Sequence, residues 1–161
     1  MKARISIRRA VPTDSTALSG LIRRNAEAVL ASDYTPQQLT AWKRYNTPAQ
    51  VRQRLGQRRT FCAVRSGRIC GTVALKGDEL VGLYVSPRWR GCGIGRMLLD
   101  HLEGVAAKQG INRLHLTSTP SAVTFYEHHG WKSGRKVVLN ILEVDFEETA
   151  MTKDLRSLPK R

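Results

Sequence analysis

Residues 83–99, LYVSPRWRGCGIGRMLL, run from a short apolar strand through a loop with glycine at 91, 93 and 95 straight into an amphipathic helix. Glycines remove the side chains that would keep an anion away. Successive backbone N–H groups can then converge on it just where a helix presents uncapped donors and the positive end of its dipole. Gly91, Cys92 and Gly93 stand where a Ser, Thr, Asp or Asn ordinarily satisfies those donors, so an external acceptor is expected, and a pyrophosphate fits. Two common phosphate motifs are excluded by position. A dinucleotide fingerprint counted from Gly91 and Gly93 meets Arg96 instead of its third glycine, and no G-K-[ST] closes a Walker loop. What remains is Arg90, Gly93 and Gly95 in the spacing R-x-x-G-x-G. Taken alone, the loop reads equally as a connection that packs helix on strand.

A second signature lies at 119–131, TPSAVTFYEHHGW, where Thr119 caps a helix, Pro120 takes its first position and Gly130 follows its end. The two segments together resemble the GNAT superfamily of acyl-CoA-dependent N-acyltransferases. That family carries [RQ]-x-x-G-x-[GA] between a central strand and a helix, and later A-x-x-x-Y-E-x-x-G-[FW], matched here by Ala122, Tyr126, Glu127, Gly130 and Trp131. The resemblance runs from the first strand to Leu155 and is sharpest between Glu79 and Trp131. One departure is Thr119, seven residues before the tyrosine, where many relatives carry Asn.

The resemblance implies acetyl-CoA as co-substrate and no metal. Leu83, Tyr84 and Val85 would lie along the pantetheine, an N–H of that strand polarising the thioester carbonyl, with Thr119 on the other side. Arg90, Gly91, Cys92, Gly93, Ile94, Gly95 and Arg96 would surround the pyrophosphate, the arginines adding charge. An alkylammonium has a pKa near ~10.4, so a base must remove its proton. Glu79, four residues before Leu83, matches the base of some members, and it also reads as part of a solvated turn with Gly77 and Asp78. Tyr126 would donate to the departing thiolate; its plain alternative is an aromatic on the inner face of a helix. Tyr34 and Trp42, within SDYTPQQLTAW, fall where acceptor sites of the family are walled. The implied function is transfer of an acetyl group to a primary amine of a small molecule or peptide, by direct attack in a ternary complex. The alternative is a non-catalytic module of the same fold that binds CoA or nucleic acid through its basic surface.

Composition bounds the rest. The 161 residues suit a single domain over 1–161, with its core about 3–155. Apolar residues of MKARISIRRAV alternate with charge, which suits a strand and not a signal peptide. No run reaches the ~18 apolar residues of a membrane span. A cytoplasmic monomer or homodimer is expected. Lys and Arg number 27 against 13 acids, a net charge of +14. That surplus suits any polyanion, whether nucleic acid, anionic membrane or CoA, and names none. No helix-turn-helix, zinc-finger or aromatic RNP pattern supplies base readout, so nucleic-acid binding is not predicted. The segment 52–59, RQRLGQRR, is either a phosphate-contacting helix end or a solvated basic face, and is read as the latter. His128 and His129 are adjacent on a helix with no third ligand in register, a polar helix end.

The three cysteines form no C-x-x-C pair. A two-residue turn at Ser66-Gly67 would set Ala63 opposite Cys70 and Cys62 opposite Gly71. The thiols of Cys62 and Cys70 then point to opposite faces and cannot bridge.

Periodicity predicts strands over 3–9, 60–65, 68–76, 79–85 and 114–117, and two more within 132–155. Helices are expected over 14–30, from Pro36 through Trp42, after Pro48, over 93–109 and over 120–129. The helix at 93–109 should be buried through Ile94, Met97, Leu98, Leu102 and Val105. Hairpins at both ends with helical crossovers between them give an α/β architecture: a mixed, mostly antiparallel sheet of six to seven strands flanked by four to five helices.

Overall fold

The computed structural model describes residues 3–156; residues 1–2 and 157–161, the ends of the expected domain, lie outside the described residues. The strands are β1 (Ile5–Arg9), β2 (Arg59–Arg65), β3 (Arg68–Lys76), β4 (Glu79–Val85), β5 (Arg113–Ser118), β6 (Lys132–Ile141) and β7 (Val144–Asp154). They form one sheet in the order β1-β2-β3-β4-β5-β7-β6, antiparallel everywhere except between β4 and β5. The helices are α1 (Ser15–Ala28), α2 (Pro36–Tyr45), α3 (Pro48–Leu55), α4 (Ile94–Lys108) and α5 (Val123–His128). This is the architecture expected from the sequence. Among the described residues no helix is long and apolar enough to cross a membrane.

Local chemistry fixes the helix starts. Thr35 and Gln38 cap α2 reciprocally: Gln38 N donates to Thr35 Oγ1 at 3.2 Å and Thr35 N to Gln38 Oε1 at 2.8 Å. Pro36 and Pro48 each occupy the first turn of their helix, where a missing N–H costs nothing. Asp14 precedes α1 but its carboxylate is used elsewhere, receiving Arg8 Nη1 and Nη2 at 2.8 and 2.9 Å and so fastening β1 to the helix.

Two apolar layers follow, one on each face of the sheet. On one face α4 lays Ile94, Leu98, Leu99 and Leu102 against Val73, Leu75, Leu114 and Leu116. On the other, α1 and α2 lay Leu18, Ile22, Ala26 and Trp42 against Cys62 and Phe146. The expected burial of Met97 is not found: it is 37% exposed. The seam of α4 passes instead through Leu99, Glu103 and Ala106, a rotation the sequence obscures because Glu103 is charged. Glu103 is tolerated inside because it pairs with Lys153 of β7. Val105 is half-buried against the same layer.

The β2–β3 hairpin departs from the expected register. Arg65 faces Arg68 across a turn in which Ser66 and Gly67 both have positive φ, the geometry of a type I′ turn. A bulge then intervenes, so that Ala63 faces Gly71 and Cys62 faces Thr72. Cys70 is the extra residue, its Sγ 3.4 Å from Ala63 O. The inference about the thiols survives: Cys62 lies in the α1 layer and Cys70 in the α4 layer.

Gly71 and Gly104 make opposite predictions for stability. A Cβ on Gly71 would stand 2.8 Å from Leu98 Cδ1 and 3.2 Å from Tyr84 O, whereas one on exposed, mid-helical Gly104 meets nothing within 4 Å. Urea denaturation should show Gly71→Ala destabilised by about 1–3 kcal/mol. The same measurement should show Gly104→Ala stabilised by roughly 0.5–1 kcal/mol.

Candidate active site

The parallel contact of β4 and β5 is confined to one register pair, Glu79 with His115. It is pinned from Asp78, whose C=O accepts from His115 N at 3.1 Å and whose Oδ1 lies 2.8 Å from His115 Nε2. Beyond that point the strands part. The cause is local to β4, where Gly82 takes φ +62° at a register shift between Thr72 and Ala74, so the strand bends away through a bulge. The split is occupied by a cavity of about 610 Å³, walled by Leu80 to Val85 of β4, Thr117 and Ser118 at the end of β5, Thr119 just beyond it, Asn25 of α1 and Tyr126 of α5.

Ser86 N donates to Cys70 O at 2.8 Å. Bonded and non-bonded pairs alternate in an antiparallel ladder, so Val85, opposite Gly71, turns its own N–H and C=O away from β3 and toward the split. The C=O accepts from Asn25 Nδ2 at 2.9 Å. The N–H faces the same split.

At the open end, β4 leads through a short 3-10 turn, Pro87–Trp89, into the glycine loop. Gly91 and Gly93 have φ of +77° and +79°, and nothing lies within 4 Å of where a Cβ would stand on either. Gly93 is the N-cap residue of α4, and no side chain caps the helix. The loop is therefore shaped as a cradle with its first-turn donors unclaimed by side chains. Gly95 serves differently: its Cβ would approach Phe125 Cζ to 3.3 Å, so this glycine permits α4 and α5 to meet. Arg90 and Gly95 line the cavity; Gly91, Cys92, Gly93, Ile94 and Arg96 are not on its wall. Arg96 is 3.8 Å from Asp100 Oδ2 in an exposed i,i+4 pair, and Cys92 is exposed. Thr119 lines the cavity and stands at the N-cap position of the 3-10 turn Pro120–Ala122, but its side chain makes no capping bond; only its C=O accepts, from Ala122 N at 3.1 Å.

Tyr126 reaches the cavity from α5, its ring held edge-on against Phe125 and Trp131 at centroid distances of 5.3 and 5.9 Å. Its hydroxyl has no hydrogen-bond partner among the described residues, and burial pushes its pKa up, so the phenol stays protonated.

A second ionisable group, not anticipated from the sequence, stands with it. Glu148 of β7 is 3% exposed and lines the same cavity. Burial raises its pKa from an ordinary 4.5 to about 7, while the nearby Thr117 and Tyr34 hydroxyls favour the carboxylate; Tyr34 Oη lacks the alignment of a full hydrogen bond. Phe146 was the available signal, because Glu148 shares its inward phase along β7. Glu79, the carboxylate singled out in the sequence, also lines the cavity, half-buried at the closed end of the split.

The two aromatics expected at the acceptor wall separate. Trp42 lines the cavity, whereas Tyr34 is not on its wall: it packs against Trp42 and Phe146 at 6.3 and 5.1 Å. Tyr84 meets Trp42 edge-on at 6.5 Å, and its hydroxyl is held protonated by burial. The segment 52–59 is not wholly a solvated face, since Arg54 and Arg58 both line the cavity. Arg54 is committed to Tyr45 O and Asn46 Oδ1 at 2.7 and 2.8 Å. Among the described residues no group of three or more His, Cys, Asp or Glu is arranged to hold a metal.

Known proteins resemble this chain in sequence and in fold. The family model "Acetyltransferase (GNAT) domain" matches residues 30–141. A glucosamine 6-phosphate N-acetyltransferase of Trypanosoma brucei brucei is 30% identical over 97 residues, which span 53% of this chain and 66% of that one. The peptidyl-lysine N-acetyltransferase YjaB of Escherichia coli K12 is 30% identical over 136 residues, 83% of this chain and 87% of that one. Among solved structures, a GCN5-related N-acetyltransferase from Rhodopseudomonas palustris superposes with a TM-score of 0.90 at 27% identity, covering 96% of this chain and 98% of that one. The PaiA N-acetyltransferase of Thermoplasma acidophilum, solved with coenzyme A, gives 0.80 at 21% identity, covering 94% and 99%. A split β4–β5 pair, a glycine cradle ahead of α4 and the matched family model lead to one assignment: the chain belongs to the GNAT family of N-acetyltransferases and is an acyltransferase.

Proposed function

We propose that this protein transfers an acetyl group from acetyl-CoA to a primary amine by direct attack within a ternary complex. The observation that carries the reading is that an unpartnered buried phenol, Tyr126, and a buried carboxylate, Glu148, open on the one cavity that fills the β4–β5 split. The coenzyme A bound by the Thermoplasma acidophilum relative, and the amine acceptors named for the trypanosomal and bacterial relatives, support the same reaction class.

The residues present fit an acyl-CoA. The unclaimed Val85 N–H and the uncapped α4 terminus supply donors, and Gly91 and Gly93 leave room for phosphate oxygens. Leu83, Tyr84 and Thr119 would flank the pantetheine, while Arg90 and Arg96 add positive charge beside the loop. When bound, the acetyl thioester supplies an activated carbonyl.

The rest falls to side chains. A primary amine arrives as ammonium, so a base must take one proton. Glu148 is suited to this, because a carboxyl pushed up to about 7 is poised near neutral pH. Glu79 is the second candidate on the same wall. Overall, two protons leave nitrogen as the ammonium becomes an amide: the base takes the first before attack, and the second is lost as the C–S bond breaks. Sulfur gains one to leave as the free thiol, and one is released to solvent. Tyr126, kept protonated by burial, donates a hydrogen bond to the departing thiolate; with its own pKa above that of a thiol, it stabilises the thiolate as a hydrogen-bond donor without full ionisation.

Thiol release from acetyl-CoA across an amine panel tests the reaction. At least one amine should be turned over; no turnover with any amine, alongside strongly salt-dependent DNA or RNA binding, would favour a non-catalytic module. Tyr126→Phe should lower kcat on the order of 10²-fold while CoA titration heats stay unchanged.

Glu148 makes a pH-dependent pair of predictions. As a base it works deprotonated, so wild-type kcat/KM should rise with pH and level off above about 7, and Glu148→Gln should lose most of that activity. If Glu79→Gln loses it instead, Glu79 holds the role. The folded state prefers Glu148 protonated, so from pH 4.5 to about 7 it binds more protons than the unfolded chain and this group costs stability as pH rises. Glu148→Gln should therefore unfold at higher urea than wild type at pH 8, by on the order of 1–3 kcal/mol, with the gain vanishing toward pH 4.5.

A further inference from the structure

The cavity in the β4–β5 split is lined by a cation with no hydrogen bond or ion pair among the described residues. Arg58, in the turn between α3 and β2, lines the cavity with a half-buried side chain, and its Nε is sealed from solvent with no hydrogen-bond partner. Its Nη1 lies 3.9 Å from where a Cβ on Gly82 would stand, so the guanidinium rests against the β4 bulge that opens the split. No carboxylate comes within ion-pair distance of it among the described residues. Glu79 acts on it only at longer range, and Arg54, stacked 4.1 Å over Tyr45, adds like charge. Burying an unpaired guanidinium beside a second one is costly, and an anion entering the cavity would relieve it.

We propose that the acceptor is a small amine carrying an anionic group, carboxylate or phosphate, which Arg58 receives while the amine is directed toward Glu148 and Tyr126. This rests on the acetyltransferase reading above. Arg54, Arg58, Tyr84 and Glu148 all line the same cavity, so the carboxylate and the guanidinium groups face one shared volume. The cavity of about 610 Å³ must also admit the reactive end of the acyl donor, so the space left suits a compact acceptor. A guanidinium presents paired donors that match carboxylate or phosphate oxygens, whereas an uncharged amine leaves the Arg58 donors orphaned.

The test uses the full-length protein, acetyl-CoA, and ω-amino carboxylic acids and aminoalkyl phosphates of two to six carbons, each beside its uncharged amide or alcohol counterpart. The anionic member of a pair should show a roughly ten- to hundredfold higher kcat/KM. Comparing the two series distinguishes carboxylate from phosphate. In Arg58→Gln the ratio within each pair should collapse toward one through KM, and Arg58→Lys should restore part of it. Amides and alcohols acetylated as well as their charged partners would overturn this inference and leave the acetyltransferase reading standing, as would a ratio that survives Arg58→Gln. Acetylation of no amine at all would overturn both. If Arg58→Gln does not fold, the wild-type ratio and Arg58→Lys still decide.

Discussion

The site depends on the failure of β4 and β5 to stay paired. Parallel strands ordinarily run side by side for their full length, each satisfying the other's backbone groups. Here the ladder is closed at Glu79 and His115, clamped by Asp78, and opened at once by the bulge at Gly82. Unpaired backbone is expensive when buried, and part of that cost is met on the spot: Asn25 reaches across from α1 to donate to the Val85 C=O. The same bend delivers β4 to the glycine loop and sets the uncapped start of α4 at the mouth of the opening. The slot and the approach to the glycine loop thus follow from one distortion in one strand.

Around that slot the protein accepts electrostatic costs that a purely structural core would avoid. Glu148 and Arg58 are both desolvated without a full ion-pair partner, and the hydroxyls of Tyr84 and Tyr126 are held protonated by burial. By contrast, the buried carboxylates that serve only the fold have their cations, Glu103 with Lys153 and Asp14 with Arg8. Groups placed off their own stability optimum, and clustered in one cavity, are the pattern expected where chemistry is done.

Much of this was legible in the chain itself. Alternation and capping located the elements best where the signals agree, as in α2, whose Thr35–Gln38 box, Pro36 and inward Ala41 and Trp42 all point to one helix. The loop at 90–96 announced itself through its glycines. What escaped had specific causes. Glu103 and Glu148 are charged residues inside inward-facing phases, and a charge is ordinarily read as solvent-facing. Arg58 looked like one of many surface cations in a basic run, and only the tertiary structure turns it toward β4. The bulge at Cys70 shifted a hairpin register that turn chemistry alone set differently. Gly82 was the overlooked signal: an isolated glycine inside a strand marks a bulge, and this one opens the site.

Backbone amide NMR during titration with acetyl-CoA tests the central claim most directly, because it reports on the amides that the split and the loop leave unclaimed. The account predicts saturable shifts concentrated at Val85 and across Gly91 to Gly95, with β1, β6 and the β2–β3 turn unmoved. A folded protein whose spectrum ignores acetyl-CoA, or whose shifts fall elsewhere, would contradict it.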